Sequence, residues 1–475
     1  MLRQAVLSPS SVRPRSQPLR YATTSLLLAT FLALALPPIA LPHAQGQVRD
    51  RPSVLLIVTD DQRADTLSAL PAVVERIGDR GIKFGKGFVP HALCCPSRAS
   101  ILTGNYSHTT GVWTNNLVGG YGVFDESSTL ATWLDAAGYR TGLFGKYINH
   151  WADADPTHIP PGWDEWFAFT ENCCSYYGFT ANVDGTLRQF GDDVYSTRES
   201  AQRAADFIMS AGAEPTFTLW APDAPHSPAT PEVRYEDAFS GLEAYRPPNY
   251  MEKDVSDKPA WVRSRPRWDL ARRTEVDSLR RRMYETLLSV DDGTDILLDA
   301  LAASGRLSNT LIVFTSDNGY LFGEHRLQGK PFPWRASHRV PFLVRYDPLI
   351  ETPSKSSALV LTIDLAPTIV AVTGAQAPHM DGKSLTPLLG QERSGVRSRA
   401  VIENSRVGSP SYCGTRSRYS VFVRYATGEE EFYDYRRDPW ELNNAVADPA
   451  VRNQVTALRR FARENCRPRP PGFSW

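Results

Sequence analysis

Runs of apolar residues divide most of the chain into short elements. Two continuous apolar, β-branched runs at 53–59 and 310–315 predict strands that are buried on both faces of a sheet. Further strands are predicted at 139–144 and 216–220. Apolar residues at helical spacing predict helices, which lie at 70–81, 130–137 and 281–303. Strands that alternate with helices predict an α/β fold, with a large, mostly parallel sheet flanked by helices.

The pattern changes in two other regions. Residues 231–273 are rich in proline, arginine, tryptophan and tyrosine without a clear period, which favours a long surface excursion beside a ligand crevice. After about residue 397 the apolar runs become short, at 419–425 and 431–435, and a final helix follows. We therefore divide the folded part into a main domain at 46–396 and a small C-terminal subdomain at 397–475.

The N-terminal residues have the layout of a secretory signal peptide. Arg3, Arg13 and Arg20 precede an apolar run at 25–40, and residues 43–45 offer a small residue for cleavage. A retained membrane anchor is the alternative, although the uninterrupted run is short for a bilayer span. We predict that residues 1–45 are a signal peptide and that the protein is secreted or periplasmic, with no stable membrane association.

Composition and charge narrow the class of protein. Of 475 residues, 42% are apolar and 22% are charged, which is typical of a globular protein. Lysine plus arginine and aspartate plus glutamate both number 52, so the net charge predicts no nucleic-acid partner. A polyanionic substrate would have to be bound by local basic clusters.

Six cysteines occur in the chain, and an exported protein can oxidise some of them. They are Cys94, Cys95, Cys173, Cys174, Cys413 and Cys466. Cys413 and Cys466 are a possible C-terminal disulfide, but the sequence alone does not fix the pairing. No histidines stand at zinc-ligand spacing beside the adjacent pairs, so a structural zinc site is not expected.

Polar residues follow the predicted strands at their carboxyl ends, where ligands bind in sheets of this kind. They are Asp60, Asp61, Lys146, His226, Asp317 and Asn318. The four carboxylate and amide side chains offer only oxygen ligands, which suits calcium or magnesium. Each motif taken alone has another explanation: Asp60-Asp61 and Asp317-Asn318 as turns or helix caps, Lys146 as a solvated lysine, and His226 as an ordinary loop histidine.

The segment 91–104 is predicted to run from a loop into a helix. Pro96 suits the first turn, and Gly104 can end the helix in the left-handed region. Cys94 then lies beside the helix N-terminus, which favours an anion, and Arg98 lies one turn further on. This arrangement suggests chemistry on an oxyanion ester. The alternative is a buried pair of thiols, Cys94 and Cys95, at an ordinary helix start.

The string Cys-Cys-Pro-Ser-Arg followed by Leu-Thr-Gly resembles the signature of the type I sulfatases. Later motifs, Gly-Lys-Tyr at 145–147 and Ala-Pro-His-Ser-Pro at 224–228, look closest to the N-acetylglucosamine-6-sulfatases. The resemblance covers about residues 50–445. It implies an alkaline-phosphatase-like sulfatase fold, a calcium ion (with magnesium as the alternative), and oxidation of Cys94 to Cα-formylglycine by a dedicated formylglycine-generating enzyme.

The resemblance also implies roles for individual residues. Formylglycine at position 94 would be the nucleophile and, with Asp60, Asp61, Asp317 and Asn318, a metal ligand. Arg98, Lys146 and Lys330 would bind the sulfate, and His226 would protonate the leaving oxygen. The chain departs from the common Gly-Lys-x-His motif, because Ile148 stands at the histidine position. Asn149 or His150 could substitute there, and His325 could support or contact the substrate, unless it and Lys330 belong to an ordinary polar loop.

We therefore expect a sulfuric ester hydrolase that acts on a sulfated carbohydrate or a small sulfate ester. One alternative keeps the fold but changes the ester: a broad arylsulfatase, or a phosphonate or phosphodiester hydrolase of the alkaline phosphatase superfamily. A second alternative is a secreted carbohydrate-binding protein without activity, which an unmodified Cys94 would favour.

Overall fold

A computed structural model describes residues 51–390 and 395–475, so the predicted signal peptide at 1–45 lies outside the described residues. The strands in these ranges are β1 Ser53–Thr59, β2 Ile82–Phe88, β3 Arg140–Gly145, β4 Glu165–Phe169, β5 Thr180–Val183, β6 Thr186–Gln189, β7 Thr216–Ala221, β8 Thr310–Ser316, β9 Leu321–Phe322, β10 Gln328–Gly329, β11 Phe342–Arg345, β12 Ser354–Leu361, β13 Arg399–Asn404, β14 Tyr412–Ser417, β15 Ser420–Tyr425 and β16 Glu430–Asp434. The helices are α1 Cys94–Thr103, α2 Ser107–Thr110, α3 Leu130–Ala136, α4 Ser196–Ser210, α5 Ala260–Arg263, α6 Leu270–Ala303, α7 Arg335–His338, α8 Leu365–Thr373, α9 Thr386–Leu389 and α10 Arg452–Asn465.

The largest element is a 10-stranded sheet with the order β12-β2-β11-β8-β1-β7-β3-β4-β5-β6. Strands β8, β1, β7, β3 and β4 run parallel in its centre, while β11, β5 and β6 introduce antiparallel pairs. The four strands predicted from apolar runs are β1, β3, β7 and β8, which are all central. The prediction of a mostly parallel sheet is confirmed.

Strand β1 shows why the centre of the sheet is apolar on both faces. Val54 and Leu56 belong to the hydrophobic core on one face, and Leu55 and Ile57 belong to the core on the other face. Side chains alternate along a strand, so a strand covered on both faces must be apolar at every position. Helices α4 and α6 pack together on the second face.

A second, antiparallel sheet of four strands, β13-β14-β15-β16, lies at the C-terminal end, as predicted. Helix α10 packs its apolar side on this sheet, with Val455 and Leu458 against Phe422 and Phe432. A disulfide joins Cys413 to Cys466, just after α10. The structure thus forms the C-terminal pairing that the sequence left open. The boundary at 396/397 remains a prediction.

Two predicted helices differ from the structure. Residues 70–81 form short, irregular helical turns, at Val73–Ile77 and Gly78–Arg80, in place of one α-helix. Helix α6 begins at Leu270, earlier than the predicted residue 281, because the Asp269 carboxylate caps it by accepting a hydrogen bond from the Arg272 N–H. No helix in the described ranges is long and apolar enough to span a bilayer.

Candidate active site

The site begins where two neighbouring parallel strands end. Thr59 of β1 pairs with Ser316 of β8, so Asp60-Asp61 and Asp317-Asn318 leave the sheet side by side. The Asp61 N–H donates to Asp317 Oδ1 at 3.2 Å, and Asn318 Nδ2 donates to Asp61 Oδ1 at 2.5 Å. All four side chains are buried. The predicted oxygen-ligand residues are therefore brought together.

The candidate nucleophile faces this cluster from the start of a helix. Helix α1 begins at Cys94 itself and ends at Thr103, and the following Gly104 has a left-handed φ of 71°, as predicted. The Cys94 Sγ lies 3.6 Å from Asp60 Oδ1 and 2.9 Å from Lys330 Nζ. Burial, together with the charge of Asp60, raises the pKa of the Cys94 thiol to about 12. The unmodified thiol is therefore protonated at neutral pH and is a poor nucleophile.

Cys95 has different surroundings. Its side chain belongs to the hydrophobic core beside the sheet and lies 3.4 Å from Asn149 Oδ1. Of the pair, Cys94 faces the carboxylates and Cys95 faces the apolar core.

Three cationic side chains surround the carboxylates. Arg98 Nε donates to Asp317 Oδ2 at 2.8 Å, while the ammonium groups of Lys146 and Lys330 bond to Asp60 and Asp61, respectively. Burial alone would raise the pKa of Asp60, but Lys146 and the other nearby cations hold it well below its usual range. The cluster thus combines ionised carboxylates with cations that can bind an anion.

His226 completes the cluster from the loop after β7. Its Nε2 lies 3.5 Å from Asp61 Oδ2, and its Nδ1 lies 2.6 Å from the Ser227 carbonyl oxygen. A carbonyl oxygen only accepts, so Nδ1 carries the proton of this hydrogen bond. The Nε2 atom therefore faces the cluster, where it can exchange a proton with a bound ligand.

The donor set fits a hard divalent cation. Ligand atoms of Asp60, Asp61, Cys94 and His226 all lie within 4.8 Å of one another. Next to them, Asn318 Oδ1 is buried without a hydrogen-bond partner in the described residues. A buried oxygen of this kind is costly unless a cation or donor meets it. Carboxylate and amide oxygens in one cluster are the ligands that calcium and magnesium prefer.

The three substrate residues predicted from weaker signals do not join this cluster. His325 Nδ1 is 2.6 Å from Glu252 Oε2, and the ring is buried and stacked on Trp334 at 4.6 Å. His150 Nδ1 lies 2.7 Å from Asp153 Oδ2. Asn149 contacts Cys95. Their predicted roles in substrate binding are not tested by this arrangement.

Sequence reasoning missed three neighbours of the site. The sulfurs of Cys173 and Cys174, joined as a disulfide, both lie 3.2 Å from His226 Nδ1. Asp223 is buried near Lys146, and burial raises the pKa of its carboxyl to about 7. Asp223 follows the end of β7, three residues before His226. Its position after a strand could therefore have identified it as a candidate site residue. No sequence signal places the cysteine pair beside His226.

Two protein-family models match this chain, and together they cover most of its length. The family model described as "Sulfatase" matches residues 52–375, and the model described as "N-sulphoglucosamine sulphohydrolase, C-terminal" matches residues 323–465. The human N-acetylglucosamine-6-sulfatase is 36% identical over 374 residues, which cover 74% of this chain and 67% of the human protein. The Drosophila melanogaster protein named "Extracellular sulfatase SULF-1 homolog" is 34% identical over 74% of this chain. That match spans only 32% of the Drosophila protein's length.

A solved structure shows the same fold. It is a protein in complex with its substrate, D-glucosamine-2-N,6-O-disulfate, and it superposes with a TM-score of 0.75 at 24% identity. The superposition covers 88% of this chain and 97% of that chain. The fold is therefore the one predicted, with a large mixed sheet and a small C-terminal antiparallel sheet.

Proposed function

Because this chain belongs to the sulfatase family, we propose that it hydrolyses sulfate esters of sugars, with 6-O-sulfated N-acetylglucosamine as the preferred substrate. The observation that supports hydrolysis most directly is the convergence of Cys94, Asp60-Asp61, Asp317-Asn318 and three cations at one edge of the sheet. The sugar preference rests on sequence similarity to N-acetylglucosamine-6-sulfatases.

We propose Cα-formylglycine at position 94 as the nucleophile. Its hydrated aldehyde supplies a hydroxyl for attack on sulfur and a second hydroxyl for the release of sulfate. The unmodified thiol is buried beside the Asp60 carboxylate, which raises its pKa and disfavours the thiolate. The sequence Cys94-Cys95-Pro96-Ser97-Arg98 is the proposed recognition motif of a formylglycine-generating enzyme.

A calcium ion, with magnesium as the alternative, is proposed for the oxygen cluster of Asp60, Asp61, Asp317 and Asn318, with position 94 beside it. The ion would neutralise the carboxylates and polarise a sulfate oxygen.

Cationic side chains of the protein also stabilise the negative charge on the sulfate oxygens. Arg98 is fixed by Asp317, which aims its guanidinium across the cluster. Lys330 contacts Cys94 and Lys146 bonds to the adjacent Asp60, so both ammonium groups can bind the equatorial oxygens of a sulfate held at position 94. Each interaction grows as negative charge develops on those oxygens, which lowers the barrier.

His226 is the proposed proton donor to the leaving sugar oxygen. Its Nδ1 proton is engaged by Ser227, so Nε2 is the nitrogen that faces the cluster. A protonated Nε2 can transfer its proton as the sulfur–oxygen bond breaks. This step matters most for a sugar alcohol, which is a poor leaving group.

We also propose that the protein is exported. The proposal is supported by the signal-like residues 1–45, by the Cys413–Cys466 disulfide, and by similarity to proteins named extracellular sulfatases.

Sulfate release from a substrate panel tests the proposal. Peptide mass must first show formylglycine at position 94. The panel contains 6-O-sulfated glucosamine, its N-acetyl form, heparin-type disaccharides, 4-nitrophenyl sulfate and 4-nitrophenyl phosphate. We expect selective release from the 6-O-sulfated sugars. Release from the aryl ester alone would refute the sugar preference, and faster release of phosphate would move the protein to the phosphoesterases.

A further inference from the structure

The loop between β4 and β5 brings two adjacent cysteines to the candidate active site. Cys173 and Cys174 form a disulfide between neighbours in sequence. Cys174 has a φ of 127°, which a residue with a side chain rarely adopts. Such a conformation persists only where its surroundings hold it, and it often marks a functional segment.

This disulfide lies against the imidazole of His226. Both sulfurs are 3.2 Å from Nδ1, and Cys173 Sγ is also 3.8 Å from Nε2 and 3.9 Å from Lys146 Nζ. A disulfide sulfur has no proton to donate, and the Nδ1 proton is directed to the Ser227 carbonyl. The disulfide therefore acts on the ring by packing, which restricts its rotation.

The same loop also holds the backbone of His226. The buried Tyr176 donates its hydroxyl proton to the His226 carbonyl oxygen at 2.7 Å. Three residues of this loop thus fix the histidine: the two cysteines contact the ring, and Tyr176 holds the main chain by a hydrogen bond. With both fixed, Nε2 stays directed at the cluster, 3.5 Å from Asp61 Oδ2.

We propose that the Cys173–Cys174 disulfide is a positioning element for His226 and makes transfer of its proton to the leaving oxygen sensitive to thiol reductants. The inference rests on the proposed function and adds a redox-sensitive component to that site. The pair is a positioning element because it acts through His226.

Reduction follows ordinary thiol–disulfide exchange. One small thiol attacks a cysteine sulfur, the bond between the two cysteine sulfurs breaks, and a second thiol displaces the first as a small-molecule disulfide. The two cysteines gain the two protons and two electrons of the small thiols. The cysteine sulfurs are then no longer bonded and can rotate independently, so the ring is no longer packed against one rigid disulfide.

The expected signature is a dependence on the leaving group. A misplaced proton donor slows esters of sugar alcohols, which need protonation, and has little effect on 4-nitrophenyl sulfate, whose phenolate leaves without a proton. A general loss of structure would slow both. We compare kcat for glucosamine 6-O-sulfate and for 4-nitrophenyl sulfate in the full chain with formylglycine at 94.

The variant C173S/C174S removes the disulfide, and C413S/C466S is the matched control that removes the other one. We expect C173S/C174S to lower kcat for the sugar ester on the order of 10²-fold, the range for loss of general acid catalysis, with the aryl ester changed less than about threefold. KM for the sugar should change little. C413S/C466S should alter the two rates by the same factor.

Three results would overturn the inference: equal loss on both esters in C173S/C174S, no loss on either, or alkylation of Cys173 and Cys174 without prior reduction of the active protein. The last measurement uses peptide mass on the wild-type chain, so it decides even if the variant does not fold. Reversible loss of sugar turnover in wild type on dithiothreitol treatment, restored by reoxidation, is the supporting result. If wild type with formylglycine cleaves neither ester, the proposed function itself fails.

Discussion

At the scale of single residues, Cys94 is enclosed by charge and almost excluded from solvent. It is 1% exposed, and Asp60 and Lys330 contact its sulfur. Its neighbour Cys95 is equally buried but faces the apolar core. Two cysteines adjacent in sequence thus have different surroundings, one charged and one apolar, and they form a matched pair for mutagenesis.

Cys94→Ser should abolish turnover, because a serine has one hydroxyl and cannot provide the second that releases sulfate. We expect kcat to fall on the order of 10³-fold or more, the scale on which loss of a nucleophile acts. Cys95→Ser is the control, which should retain formylglycine by peptide mass and most of its turnover. Full activity in Cys94→Ser, with circular dichroism unchanged, would exclude the formylglycine mechanism.

The proposed metal role of Asn318 can be tested by a measurement that does not depend on enzyme activity. Calcium that binds only the folded state raises the free energy of unfolding, by about 2.7 kcal/mol at 100 times its Kd. Asn318→Leu removes the unpartnered Oδ1, so we expect a much smaller rise of Tm on calcium addition. The exposed Asn443→Leu should keep the full rise. An equal rise in both variants would place the ion elsewhere.

Most of the candidate cluster could be predicted from the sequence, because Asp60, Asp317 and His226 follow recognisable strands or motifs. Cys173 could not, because its contact with His226 joins two loops 53 residues apart. The hydrogen bond of His325 to Glu252 could not be predicted either, because the two residues are 73 positions apart in the chain.

At the scale of elements, the irregular segment at 70–81 shows where periodicity fails. A Cβ on Gly81 would lie 2.1 Å from the Val344 carbonyl oxygen of β11, so the chain passes too close for any side chain. Val73 and Ile77 still face the core at near-helical spacing. The sequence therefore predicted helical structure here, but not the irregular turns by which the chain enters β2 at Ile82.

Helix α6 makes a similarly close contact with the sheet. A Cβ on Gly293 would lie 2.4 Å from Cη2 of the buried Trp220 ring. Gly293→Ala should lower the free energy of unfolding by about 1–3 kcal/mol through overpacking, although alanine favours a helix. Urea unfolding measures this. The exposed Thr274→Ala on the same helix should change stability little, and a stabilised Gly293→Ala would show that the ring can move.

At the scale of the whole molecule, two buried histidines join the large sheet to the C-terminal sheet. His338 Nδ1 donates to the Val89 carbonyl oxygen at 2.8 Å, and its Nε2 accepts a hydrogen bond from the Tyr412 hydroxyl at 2.9 Å. His91 lies 3.1 Å from Asn404. Burial lowers the pKa of both to about 3. Both are therefore neutral in the folded protein.

We expect the contacts of these two histidines to make the protein less stable at acidic pH. Because these folded pKa values lie below the unfolded value near 6.5, the stability is complete above pH 6.5 and is lost as pH falls toward 3. Each histidine is expected to cost on the order of 1 kcal/mol of stability per pH unit in that window. His338→Gln should flatten the fall in the urea midpoint between pH 6.5 and 5, while exposed His379→Gln should not. Equal slopes would contradict this.

The pairing of β1 with β8 also determines at what stage of folding the candidate active site can form. Asp61 and Asp317 are 256 residues apart and meet only after those strands are adjacent. Contacts of such sequence separation form slowly, since a long loop must close first. A chain released before β8 is synthesised has half of the oxygen cluster. We therefore expect the refolding protein to bind calcium only at a late stage, when the central sheet is complete.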